Sequence, residues 1–121
     1  MNSQKFVEAI QEAVISSTIT VMRQILEKPP GRSPDKNLVA LSEWYKSLGD
    51  QDKNKLLAII SKSVNSTVFG FFCVLDGERV IENGRNKGDL KLYFEKGGES
   101  TLLNDPNNGG ILHELLGSRQ F

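Results

Sequence analysis

The sequence predicts an α+β protein that is mainly α: a three-helix bundle with a C-terminal β-hairpin and a short terminal helix. Three observations carry this. Apolar residues recur at steps of three and four through the first 75 positions. Leu90, Leu92 and Phe94 then alternate with Lys91, Tyr93 and Glu95, the period of a half-buried strand. Lys96-Gly97-Gly98-Glu99 follows as a hairpin turn. A chain of 121 residues with 38% hydrophobic and 25% charged residues suits one globular domain, 1–121.

The first helix is expected over residues 1–28, with Ser3 as N-cap and Phe6, Ile10, Val14, Val21 and Ile25 on one face, widened by Val7, Met22 and Leu26. Its middle, Val14 to Val21, is β-branched and would also suit a strand; the helical period on both sides argues for helix. Lys28-Pro29-Pro30-Gly31-Arg32-Ser33-Pro34 ends it.

A helical core is expected over 33–75. Ser33 before Pro34 reads as an N-cap followed by a first-position proline. Leu38, Leu41, Tyr45 and Leu48 share a face with Trp44 beside them, and Gly49 marks a left-handed helix end. Asp50 offers the next N-cap and Asp52 places negative charge in that helix's first turn. Leu56, Leu57, Ile60, Val64, Thr67, Phe71 and Leu75 form the third stripe. From Val68 onward the sequence is apolar on every side, which predicts a central helix. A buried strand over 68–75 is the competing reading, and Gly70 costs a helix about 1 kcal/mol relative to alanine.

Beyond Asp76-Gly77, Arg79-Val80-Ile81 is a short candidate element and Asn83 to Gly88 a loop. The hairpin is expected over 88–104, with Ser100 to Leu103 as the returning strand. After the turn-rich Asn104 to Gly110 comes a short helix, 111–117, docked by Ile111, Leu112, Leu115 and Leu116. A lone hairpin is marginal in water, so it must lie on the helices.

Composition excludes several chemistries. Fifteen basic residues balance fifteen acidic ones, without the basic excess that phosphate binding favours, so no nucleic-acid partner is expected. One cysteine and one histidine cannot make an internal disulfide or the common soft-metal ligand sets; neither metal nor cofactor is expected. Cys73, among aromatic and branched neighbours, reads as a small buried hydrophobe, and His113 as a packed residue rather than a base. Asp76, Glu78 and Glu82 fail the calcium-loop pattern because Val80 takes a ligand position. Gly84 to Gly88 lacks the Ser or Thr of a phosphate loop. The sequence therefore reads as that of a non-enzyme. The N-terminus is broken by Glu8, Gln11 and Glu12, unlike an export signal, and the apolar run Val68–Leu75 is short for a bilayer. A cytoplasmic protein with no membrane partner is expected.

The stretches Trp44–Leu48 through Val68–Gly77, Leu90–Phe94 and Leu102–Pro106 resemble a group of small bacterial proteins akin to the immunity proteins of toxin–immunity systems, over roughly residues 33 to 116. The resemblance implies a rigid domain that covers the active site of a cognate toxin, such as a nuclease, with acidic groups standing in for phosphates. Glu78, Glu82, Asp89 and Glu95 are the candidate partner-binding carboxylates and Tyr93 the aromatic anchor. Residues 76–121 hold six basic and eight acidic residues, a lean towards a basic partner. A small-ligand module with a pocket between the Phe69–Phe72 helix and the hairpin, and an oligomeric structural protein, are the rival readings.

Overall fold

The computed structural model describes residues 1–107 and 109–120, with the side chains of 118–120 left out. A long first helix comprises α1 (Ser3–Ile10), a π-helical stretch (Gln11–Ser16) and α2 (Ser17–Glu27). It is followed by α3 (Lys36–Ser47), α4 (Asp50–Leu75), the antiparallel strands β1 (Tyr93–Lys96) and β2 (Glu99–Leu102), and α5 (Leu112–Gln120). The protein is thus mainly helical with a small hairpin and a short C-terminal helix, and 68–75 is helix rather than strand. The three long helices do not pack as equal partners. The first is the hub: α2 lies against both α3 and α4, and α1 against α5.

The π-helical stretch corrects the expected face of the first helix. Hydrogen bonding from i to i+5 fits an extra residue into the turn. The inward-facing apolar residues therefore run Phe6, Ile10, Ile15, Ile19, with a step of five at the π segment. Ile15 is buried in place of Val14, while Val14, Val21 and Met22 are exposed. The slip falls in the β-branched passage that made the helical reading ambiguous.

Several caps move by one or two residues. Asn2, not Ser3, caps α1 by accepting from Lys5 N (2.8 Å). Ser3 is buried instead, and its hydroxyl donates to the Leu103 carbonyl (2.6 Å). Asp35, not Ser33, caps α3 through Leu38 N. Gly49 has φ −70°, not the left-handed value expected, and occupies the N-cap of α4 ahead of Asp50. On α3 the buried face is Ser42 and Tyr45, with Leu41 and Trp44 exposed. The Ser42 hydroxyl donates to Leu26 O (2.6 Å), satisfying a carbonyl that the end of α2 leaves without a helical partner.

The stripe on α4 is rotated as well. Phe72 is 2% exposed and packs with Val7, Ile15, Leu112 and Leu116, whereas Phe71, expected inside, is 60% exposed. The face is set by Val64, Val68, Phe72 and Leu75, at steps of four, four and three. Thr67 is exposed, its hydroxyl returned to Ser63 O (2.8 Å). α4 is therefore not central on all sides. At 26 residues it is also, by length and composition alone, long and apolar enough to cross a membrane, a length that the run 68–75 did not disclose.

Gly77, at φ +81°, ends α4: its N–H donates to Val74 O (3.2 Å) and Glu78 N–H to Cys73 O (2.9 Å), the paired bonds of a Schellman motif. Arg79-Val80-Ile81 is not a regular element; the chain from Glu78 to Leu92 has neither helix nor strand. The hairpin is shorter than 88–104, pairing Tyr93 with Leu102 and Lys96 with Glu99. Gly97 and Gly98 take φ +60° and +80°, the pair of positive values that a two-residue primed turn requires. α5 runs through Gly117, expected to end it, and buries Leu112 and Leu116 completely.

Candidate functional site

The C-terminal end of α4 organises the side chains that sequence reading singled out. Asp76, its C-cap residue, turns its carboxylate onto the N-terminus of α5. One oxygen accepts from His113 N (2.8 Å) and meets the His113 ring Nδ1 at 2.8 Å, and the other accepts from Leu112 N (3.4 Å). A carboxylate at a helix N-terminus satisfies orphan N–H groups and meets the positive end of the helix dipole. The Asp76 side chain is 5% exposed, and the imidazole stands edge-on to Phe69 (centroids 5.7 Å, interplanar angle 90°). This is a structural staple: it anchors α5 to α4.

Asn104 is a second staple. Its Nδ2 donates to Leu75 O and Leu90 O, each 2.8 Å, and its Oδ1 accepts from Leu92 N (2.9 Å). One side chain thereby ties the end of α4, the approach to β1 and the exit from β2. A turn-rich sequence gave no sign of this role.

Between these elements lies a groove of about 770 Å³ whose floor includes Val74, Leu75, Leu102 and Pro106, with the segment from Arg79 to Lys91 along one side. It sits at the very end of α4, beyond the Phe69–Phe72 turn. Of the five candidate partner-binding residues, it brings together Glu82 and Asp89. Glu82 is partly committed, since its Oε2 accepts from Gly88 N (2.8 Å) and closes a loop around Asn83–Lys87. Glu78 lies in the turn before the groove; Tyr93 and Glu95, two apart on β1, lie on the hairpin. All five are exposed. Sequence reading missed the two most exposed apolar residues here, Val80 (59%) and Ile81 (69%), because they follow neither a helical nor a strand period.

Arg79 packs beside Gly70. Its guanidinium lies across α4 so closely that a Cβ at Gly70 would stand 2.5 Å from Nη1. Cys73 is half-buried, and partial burial pushes its thiol pKa up, with Asp76 and Glu78 adding to the rise and Arg79 opposing it. A raised thiol pKa leaves little thiolate at neutral pH. Among the described residues, no three His, Cys, Asp or Glu side chains converge where they would hold a metal ion. No protein-family profile, curated protein or solved structure matches the chain.

Proposed function

We propose that the chain is a non-enzymatic protein-binding domain of the bacterial cytoplasm, which holds a cognate protein partner on the surface between Glu78 and Glu95. The observation that carries this reading is the exposure of four large apolar side chains on one stretch of chain: Val80 (59%), Ile81 (69%), Leu90 (45%) and Tyr93 (53%). Val80, Ile81 and Leu90 line one groove; contiguous exposed apolar residues mark interaction surfaces, and long segments without regular structure inside small domains tend to be functional. Glu78, Glu82, Asp89 and Glu95 alternate along this surface with Arg79, Arg85, Lys87 and Lys91, so its charge is balanced, and in this reading the four carboxylates are the groups that meet basic residues of the partner. In the reading drawn from the resemblance to immunity proteins, that partner is a toxin domain.

Co-expression with the toxin candidate encoded beside this chain tests it. Protection of cells and a complex at micromolar concentration are expected, both lost in Val80→Asp/Ile81→Asp at unchanged melting temperature. Absence of both in the unaltered protein overturns the proposal.

The groove supports one alternative, a small-ligand module, because about 770 Å³ lies within the roughly 300–1,000 Å³ typical of such sites. A compound that raises the melting temperature with no protein partner present would favour it.

A further inference from the structure

We propose that Asn83-Gly84 is a site of self-modification, where the chain converts its own asparagine into aspartate and isoaspartate; this stands independently of the partner-binding reading. In the chemistry involved, the main-chain nitrogen of Gly84 loses its proton to hydroxide and attacks Cγ of Asn83. An N–Cγ bond forms, the Cγ–Nδ2 bond breaks, and the amide nitrogen takes a proton from water to depart as ammonia, which regenerates hydroxide and leaves a five-membered succinimide. Water then opens either imide bond, giving aspartate or, through the other carbonyl, isoaspartate. Water and hydroxide are the only co-reactants, and nothing is oxidised or reduced.

The reaction needs a nitrogen with no side chain crowding it, free of hydrogen bonding, and an amide free to swing towards it. Two dipeptides among the described residues have the required side chain followed by glycine: Asp76-Gly77 and Asn83-Gly84. The structure separates them. Asp76 is held by Leu112 N, His113 N and the His113 ring, and Gly77 N–H is committed to Val74 O, so ring closure would dismantle both the end of α4 and the anchoring of α5. Asn83 and Gly84 are exposed in a segment without helix or strand, and among the described residues neither the Asn83 amide nor the Gly84 N–H has a hydrogen-bond partner. A Cβ built at Gly84 would meet no atom within 4 Å, and its φ of +108° is open only to glycine without strain. The Glu82–Gly88 hydrogen bond closes the loop that presents the dipeptide to solvent. Conversion adds a negative charge beside Glu82 at the rim of the groove, and the isoaspartyl form also lengthens the main chain there.

Purified full-length protein, aged folded at mildly alkaline pH, tests the assignment by peptide mapping and by labelling with an isoaspartyl methyltransferase. The expected result is mass gain and methyl acceptance at Asn83, none at Asp76, and loss of that labelling in Asn83→Gln. Asp76 should become labelled when the chain is aged in denaturant. A folded protein that keeps Asn83 intact while the unfolded chain converts it overturns the proposal, as does methyl labelling of the peptide carrying position 83 that persists in Asn83→Gln.

Discussion

Replacing Asp76 by alanine probes how α5 is held. The substitution removes an acceptor for Leu112 N and His113 N and the partner of the His113 ring, all at a side chain 5% exposed. Losing an N-cap costs about 1 kcal/mol, and a buried donor left unsatisfied costs about 1–3 kcal/mol. Added together, these contributions give an expected destabilisation of about 2–4 kcal/mol. For a chain of this length that corresponds to a fall in melting temperature of roughly 10 °C or more. Urea denaturation followed by circular dichroism measures it, with His113→Ala and the double variant completing a cycle. His113→Ala leaves the main-chain cap intact and removes only the ring contacts, so it should cost clearly less than Asp76→Ala. If the two single variants cost the same, the main-chain cap is worth no more than the edge contact of the His113 ring with Phe69, and the reasoning fails. An Asp76→Ala variant within about 0.5 kcal/mol of the parent would refute the staple altogether.

The rotation of α4 predicts that Phe72→Ala costs about 3–5 kcal/mol, whereas Phe71→Ala stays within about 0.5 kcal/mol, both read by the same denaturation. Gly70→Ala should yield the full helix-propensity gain of about 1 kcal/mol only with Arg79→Ala, and less alone, because the guanidinium must move first. Asn104→Ala strands three main-chain groups and should cost about 2–4 kcal/mol; Asn104→Asp should not restore it, since a carboxylate cannot donate to Leu75 O and Leu90 O. Alkylation of Cys73 in the folded protein should lag behind the same reaction in denaturant at equal pH. The raised folded pKa also has a stability sign: its contribution is intact below the unfolded thiol's pKa and is lost as pH climbs through the folded one, so Cys73→Ala should flatten the alkaline limb of the stability curve.

The architecture was legible where local chemistry decides it. The helical period found the long helices, the Leu92–Phe94 alternation and Gly97-Gly98 found the hairpin, and Leu112 and Leu116 announced a docked terminal helix. Continuity of the stripe was enough to favour helix over strand for Val68–Leu75. What failed was facing. Phe71 and Phe72 have nearly the same chemistry, and nothing local says which of two adjacent phenylalanines meets the first helix. Val14 yields to Ile15 because a π-helical turn adds a residue, and a fixed period of 3.6 is blind to that slip.

At the candidate site the sequence listed the carboxylates and tyrosine, but spacing along the chain does not tell which will be recruited as staples. Asp76 is one acidic residue among three until α5 arrives from 36 positions later to use it. Asn104 is one turn residue among several until the ends of three segments meet around it. Local patterning thus determined which elements form, since each turn or strand answers to its own residues. Only tertiary packing decided which faces are buried, which polar groups clamp them and where Val80 and Ile81 are left in water, because those outcomes depend on partners distant in sequence.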